Sequence, residues 1–171
     1  LAGFSGDVFV LFGDTPFVNP DTLDRMIAAK GDNAVVVLGF HGNTSEKYGR
    51  LVMNGDALNS IVEFKDADDQ IRAIDFFNSG VMLIRGEHLF DLLDGINDEN
   101  ASGEYYLTDI VAEARAKGLT ATAIACDISE TMGVNSRAHL AEAEAIFQSK
   151  ARANLLDDGV TLIDPSSTWL A

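Results

Sequence analysis

Apolar runs alternate with amphipathic stretches along most of the chain, and this alternation predicts an α/β fold. Residues 8–12 (Val-Phe-Val-Leu-Phe) form a continuous apolar run ended by Gly13-Asp14, the pattern of a strand buried on both faces. A helix should follow. Asn19 suits the N-cap and Pro20 the first helical position; Leu23, Met26 and Ile27 share a face, and Gly31 closes the helix. Residues 34–40 read as a second buried strand, and the strand–helix–strand order implies a right-handed crossover in a largely parallel sheet.

The middle of the chain changes period. Residues 50–53 and 58–64 flank Asn54-Gly55, a strong hairpin signal. A charged loop from Lys65 to Gln70 precedes two strand-like segments, 73–77 and 79–84, interrupted by Asn78. Residues 87–93 read as a short helix, 95–103 as a polar loop and 106–117 as a helix stopped by Gly118. A short strand at 121–125 leads to the longest helix, 136–156. The pattern calls for a three-layer α/β sandwich with a small antiparallel insertion.

Charge narrows the function classes. The 171 residues carry 27 acidic and 12 basic side chains, a net charge of −15. Such a surface argues against nucleic acid or an anionic membrane as a partner, yet a divalent cation could still bridge carboxylates to phosphates. Cys126 is alone, which excludes an intrachain disulfide and fits a reducing cytosol; the longest apolar runs are far too short to span a bilayer. There is no G-x-x-x-x-G-K-[ST] loop, no G-x-G-x-x-G and no G-x-S-x-G elbow. His41, His88 and His139 have no second ligand at metal spacing, and Cys126 reads as a structural thiol at a strand end.

Ligands of open α/β sheets gather beyond the carboxyl ends of strands, and Asp14 stands at such a place. It reads either as a Mg²⁺ ligand beside a glycine that admits close approach, or as a turn residue of Gly-Asp-Thr-Pro. Asn135 reads as a ligand or as the cap of the last helix. Glu63 could accept from a ligand hydroxyl or be a solvated hairpin charge, and Asn78 needs a partner or a bend. Residues 103–109 place Glu, Tyr, Tyr, Thr and Asp at one helix start, where an acidic first turn also suits the helix dipole.

Taken in order, these segments resemble a known family. Leu11-Phe12-Gly13-Asp14-Thr15-Pro16, Tyr48-Gly49-Arg50, Ile61-Val62-Glu63-Phe64-Lys65-Asp66-Ala67, Asn78-Ser79-Gly80, Gly103-Glu104-Tyr105-Tyr106-Leu107-Thr108-Asp109 and Gly133-Val134-Asn135-Ser136-Arg137 resemble the uridyltransferase domain of the bacterial bifunctional N-acetylglucosamine-1-phosphate uridyltransferase / glucosamine-1-phosphate acetyltransferases. The resemblance implies a Rossmann-like nucleotidyltransferase fold with a mixed sheet, lacking its first strands. It implies a parent enzyme that makes UDP-N-acetylglucosamine and pyrophosphate from UTP and N-acetylglucosamine-1-phosphate with Mg²⁺, for cell-wall precursors. Asp14 and Asn135 match the metal ligands, Phe12, Gly13 and Asp14 the segment lining the nucleotide-sugar, and Gly49, Glu63, Asn78, Tyr106 and Thr108 the sugar-phosphate positions. Phe12 stands where the family commonly has tyrosine. The family's basic glycine-rich loop, G-x-G-T-R-M, does not occur, so the chain is expected to be a piece cut at both ends and inactive alone. Residues 1–163 are expected to form the partial uridyltransferase domain. Residues 164–171 would begin the linker to an absent left-handed β-helix, through which the parent trimerises. Transfer to another sugar 1-phosphate, or a noncatalytic ligand-binding module, are the alternative readings.

Overall fold

The computed structural model describes Phe4 and residues 6–170; residues 1–3, 5 and 171, the outermost residues of the two expected segments, lie outside the described residues. The chain forms two compact units, 1–131 and 132–171.

The first unit is built on a six-stranded sheet, β1 (Asp7–Val10), β2 (Val35–His41), β3 (Arg50–Asn54), β4 (Ala57–Val62), β5 (Phe76–Arg85) and β6 (Ala121–Cys126), in the order β4-β3-β5-β2-β6 with β1 also on β5. Its helices are α1 (Pro20–Lys30), α2 (Asp69–Arg72), α3 (Gly86–Leu93) and α4 (Ile110–Ala116). Side chains alternating along β2 and β5 feed two cores. Val35, Val37, Met82 and Ile84 meet Leu89 and Leu92 of α3 and Ile110, Val111 and Ala114 of α4. Val36, Leu38, Val81 and Leu83 meet Met26 and Leu23 of α1. Helices thus cover both faces, which is why β2 is apolar at nearly every position.

Several sequence readings need correction. The sheet is mixed, as the family resemblance implied and against the largely parallel sheet read from the strand–helix–strand order: β1 and β2 both run antiparallel to β5, and β2–β6 is the parallel ladder. The helix after β1 does not return the chain to a strand beside β1, because the long β5 lies between them. Residues 8–10 are only half buried, and Leu11 and Phe12 leave the strand for an exposed turn. Asn78 does not divide two strands; β5 continues through it, its N–H donating to Gly49 O (2.9 Å) beside β3, but the register against β2 shifts immediately after it, so the expected bend is present as a bulge within one strand. The charged segment after Lys65 contains α2, which Asp68 caps by accepting from Ile71 N–H (2.8 Å).

The α1 reading holds at both ends: the Asn19 side chain accepts from Asp21 N–H, Pro20 opens the helix and Gly31 closes it at φ 45°. The hairpin forms as expected, but Asn54 pairs with Ala57, so the two-residue loop is Gly55-Asp56. Only Gly55 has positive φ (59°), the pattern of a II′ rather than an I′ turn. The hairpin also joins the main sheet through Arg50 opposite Phe77 instead of standing apart as an insertion. Residues 106–117 begin as a 3-10 turn, Leu107–Asp109, before α4.

The second unit consists of α5 (Arg137–Asp157) and the segment that folds back on it. Ser136 is the N-cap, accepting from His139 N–H, so the capping role considered for Asn135 belongs to its neighbour. The Gln148 amide holds Leu170 through both backbone groups, and Arg152 donates to Thr168 O (2.9 Å). Among the described residues no helix is long and apolar enough to cross a membrane.

Candidate functional site

The hairpin exit, the loop before β3 and the turn before α4 converge on one cluster. β4 ends at Val62, which sets Glu63 at the mouth of the hairpin. Thr108, buried in the 3-10 turn, donates its hydroxyl to Glu63 Oε1 (3.2 Å). Gly49 packs against the same carboxylate: a Cβ there would lie 3.3 Å from Glu63 Oε1 and 3.2 Å from Ile61. Gly49 O accepts from Asn78 N–H, and the Asn78 side-chain oxygen accepts from Gly80 N–H (3.0 Å). Gly49, Glu63, Asn78 and Thr108, far apart in sequence, therefore form one connected constellation.

A cavity of about 280 Å³ opens beside it, lined by Lys47, Glu63, Phe64, Lys65, Ser102, Glu104 and Tyr106. Its walls are tied together across loops. Lys65 Nζ donates to Ser102 Oγ (3.1 Å), and Asp66 Oδ1 accepts from Ala101 N–H (2.9 Å). Burial raises the Glu63 carboxyl above its usual range, and nearby Asp66 and Asp109 add to this, while the Thr108 hydrogen bond opposes it. Asp109 is raised too, first by burial and then by Asp66 and Glu113. Lys47 and Ser102 went unnoticed in the sequence because each sits in an irregular loop with no period or turn signal to mark it.

Phe12 meets this region at Gly80, two residues beyond Asn78. Gly80 has φ 87°, and a Cβ on it would come within 2.0 Å of the Phe12 ring. The ring thus lies against the backbone just beyond Asn78. Gly13 and Asp14 form the turn that Thr15 closes, its N–H and hydroxyl both bonding to Phe12 O (3.4 and 3.0 Å). The turn reading of Asp14 is correct as geometry. Its carboxylate is nonetheless exposed, and a Cβ at Gly13 would meet nothing within 4 Å, so the turn leaves room for a ligand. Asn135 belongs to the second unit, where its N–H donates to His139 Nδ1 (3.3 Å).

No three His, Cys, Asp or Glu side chains form a metal cage among the described residues. The exposed Asp14 carboxylate is a donor of the type Mg²⁺ takes, an ion that binds through one or two carboxylates and completes its shell with water and phosphate. Cys126 does not belong to the site. Burial, with Glu130 nearby, pushes its thiol up to about 11. Alkylation of the folded chain by iodoacetamide at pH 8 should therefore be much slower than in urea, and a folded rate matching the unfolded one would contradict this assignment.

The whole chain aligns with curated proteins named bifunctional protein GlmU: 58% identity in Ruegeria pomeroyi, 57% in a Ruegeria species and 53% in Roseobacter denitrificans, each over 171 residues. The chain is homologous to part of GlmU. It spans 38% of the length of these GlmU relatives. No protein-family model matches. Among solved structures, a nucleoside-diphosphate-sugar pyrophosphorylase from Vibrio cholerae aligns with TM-score 0.59 at 16% identity, over 80% of this chain and 55% of that one. A CMP:2-keto-3-deoxy-manno-octonic acid synthetase aligns with TM-score 0.57 at 13% identity, over 84% of this chain and 62% of that one. At such identities these likenesses establish the fold, a Rossmann-like nucleotidyltransferase α/β fold, and the GlmU relatives carry the kinship.

Proposed function

We propose that this chain supplies the sugar-phosphate part of a Mg²⁺-dependent uridyltransferase site that joins UTP and N-acetylglucosamine-1-phosphate into UDP-N-acetylglucosamine and pyrophosphate. The observation that carries this reading is the connected Gly49–Glu63–Asn78–Thr108 constellation beside a cavity of sugar size. Glu63, oriented by Thr108, accepts from a sugar hydroxyl. Gly49 and Asn78 bring backbone and amide groups to the sugar, and Tyr106 forms part of the wall. By the family resemblance Asp14, in the first unit, and Asn135, in the second, each match a Mg²⁺-ligand position; the ion would supply neutralisation of phosphate charge. The protein's own part is to hold the attacking group in place and to exclude alternatives, since such transfer depends on positioning more than on covalent catalysis.

The 171 residues contain no glycine-rich basic loop of the family's G-x-G-T-R-M form to hold the triphosphate. The chain alone is therefore expected to release negligible pyrophosphate while still binding the sugar phosphate. Trimerisation belongs to this proposal only for the full-length protein. Calorimetry with N-acetylglucosamine-1-phosphate and with UDP-N-acetylglucosamine, each with and without Mg²⁺, tests the reading. Heat that depends on Mg²⁺ for the nucleotide-sugar and disappears in Asp14→Ala supports it. Absence of binding by either ligand, or binding indifferent to both Mg²⁺ and Asp14, rejects it.

A further inference from the structure

Arg50 is fully buried with no carboxylate partner among the described residues, an expensive arrangement for a charge. Its guanidinium instead gathers backbone carbonyls from two separate segments. It donates to Tyr48 O, to Thr44 O (2.8 Å) and to Arg72 O (3.3 Å), while its Nε has no partner. The same group lies over the rings of Phe77 (4.6 Å) and Phe64 (5.2 Å). Arg72 reinforces the cluster: its guanidinium also lies over the Phe64 ring (5.0 Å) and donates to Phe64 O (3.4 Å).

The groups that Arg50 gathers flank the cavity: Phe64 lines it, and Lys47, which also lines it, lies in the chain between Thr44 and Tyr48. Residues 43–48 are exposed and irregular; turn bonds from Ser45 and Glu46 to Asn43, and the Tyr48 ring against Phe40 and Phe77, also anchor them. They carry Lys47 into the cavity and lead into Gly49. On the other wall, Phe64 stands between Glu63 and Lys65, all three of which line the cavity. A neutral side chain of similar volume could fill the space, and such replacements of buried ions often leave overall stability little changed. The planar fork spreads its donors over separated nitrogens, so it reaches carbonyls of different segments that the single nitrogen of a lysine, with a shorter span, would not bridge with the same geometry.

We infer that Arg50 is a positioning residue for the sugar site, its buried guanidinium holding the 43–49 loop and the Phe64 strand exit at a fixed spacing. The inference deepens the reading above and rests on it for the ligand, but the ordering of the loop can be measured without one.

The experiment compares the full chain with Arg50→Met, which keeps volume, and Arg50→Lys, which keeps charge but not the fork. Amide hydrogen exchange should rise about tenfold for peptides within 42–49 in Arg50→Met while peptides of β2 and β6 keep their protection. Affinity for N-acetylglucosamine-1-phosphate by calorimetry should fall about fivefold, and Arg50→Lys should restore neither. Unchanged exchange at 42–49, or loss of protection throughout the unit, overturns the inference. So does full recovery in Arg50→Lys, which would assign the effect to charge alone. Failure of both variants to fold would make Arg50 a core residue and overturn it too. If the unsubstituted chain binds no sugar phosphate, the functional reading fails, and the exchange result still decides the role of Arg50.

Discussion

Glu63→Gln should weaken binding of N-acetylglucosamine-1-phosphate by roughly 10–100-fold, because hydrogen bonds to a charged group contribute about 1.5–3 kcal/mol. The same substitution should stabilise the fold at neutral pH. Burial, aided by Asp66 and Asp109, raises the Glu63 carboxyl, so the folded chain binds its proton more tightly than the unfolded chain does. The stability contributed by this group is complete below its unfolded pKa of about 4.5 and is lost as pH rises through the raised folded value. Glutamine has no charge to bury and can still accept from Thr108. Urea melts of the two proteins should therefore diverge above that window and converge at its acid end. Binding by the unsubstituted chain should weaken on acidification, starting at a higher pH than an ordinary glutamate would give. A variant that is less stable at pH 8, or that binds as well as the parent chain, removes Glu63 from the site.

Gly80→Ala should cost about 2–4 kcal/mol. A φ of 87° strains any residue with a side chain by about 1–3 kcal/mol, and forced overlap with a neighbour adds a similar amount. The neighbour is the Phe12 ring, which is 50% exposed and can swing outward, so the contact part of the cost is relievable while the backbone part is not. Urea denaturation should show a lower midpoint with an unchanged slope. Adding Phe12→Ala should return part of the loss, giving a coupling that the two single variants do not predict by addition. Strict additivity would mean that the ring does not press on Gly80. The displaced Phe12 carries Gly13 and Asp14 with it, so Mg²⁺-dependent binding of the nucleotide-sugar should fall as well.

Much of the fold was legible where local chemistry and burial agree. The α1 ends follow from Asn19, Pro20 and Gly31, residues whose preferences are set within a turn of the helix. The sheet's direction was not legible from the same stretch, since a helix between two strands does not say what lies between them in space. The long antiparallel β5 occupies that position, and its unity was hidden by Asn78, whose side-chain oxygen is taken up locally by Gly80 N–H while its backbone N–H bonds Gly49 O. For the site, Glu63, Asn78, Thr108 and Gly49 could be named from ordered motifs, yet each alone had an equally good local reading. What the structure adds is their mutual bonding, a property of separations that no window of sequence contains. The cluster behind them, Arg50 and Arg72 over Phe64, was invisible because nothing in the order of residues signals a buried guanidinium facing carbonyls.

The bond from Gly80 N–H to the Asn78 side-chain oxygen also fixes which way that amide faces. Its oxygen faces the Gly80 N–H, which leaves the two N–H donors as the side of the amide turned away from that bond, whereas the ionised Glu63 carboxylate offers only lone pairs. On the proposed reading, the sugar would present a hydroxyl hydrogen to Glu63 and an oxygen to the Asn78 amide. An isomer with those two polarities exchanged would set lone pair against lone pair and hydrogen against hydrogen, so the pair reads orientation as well as shape.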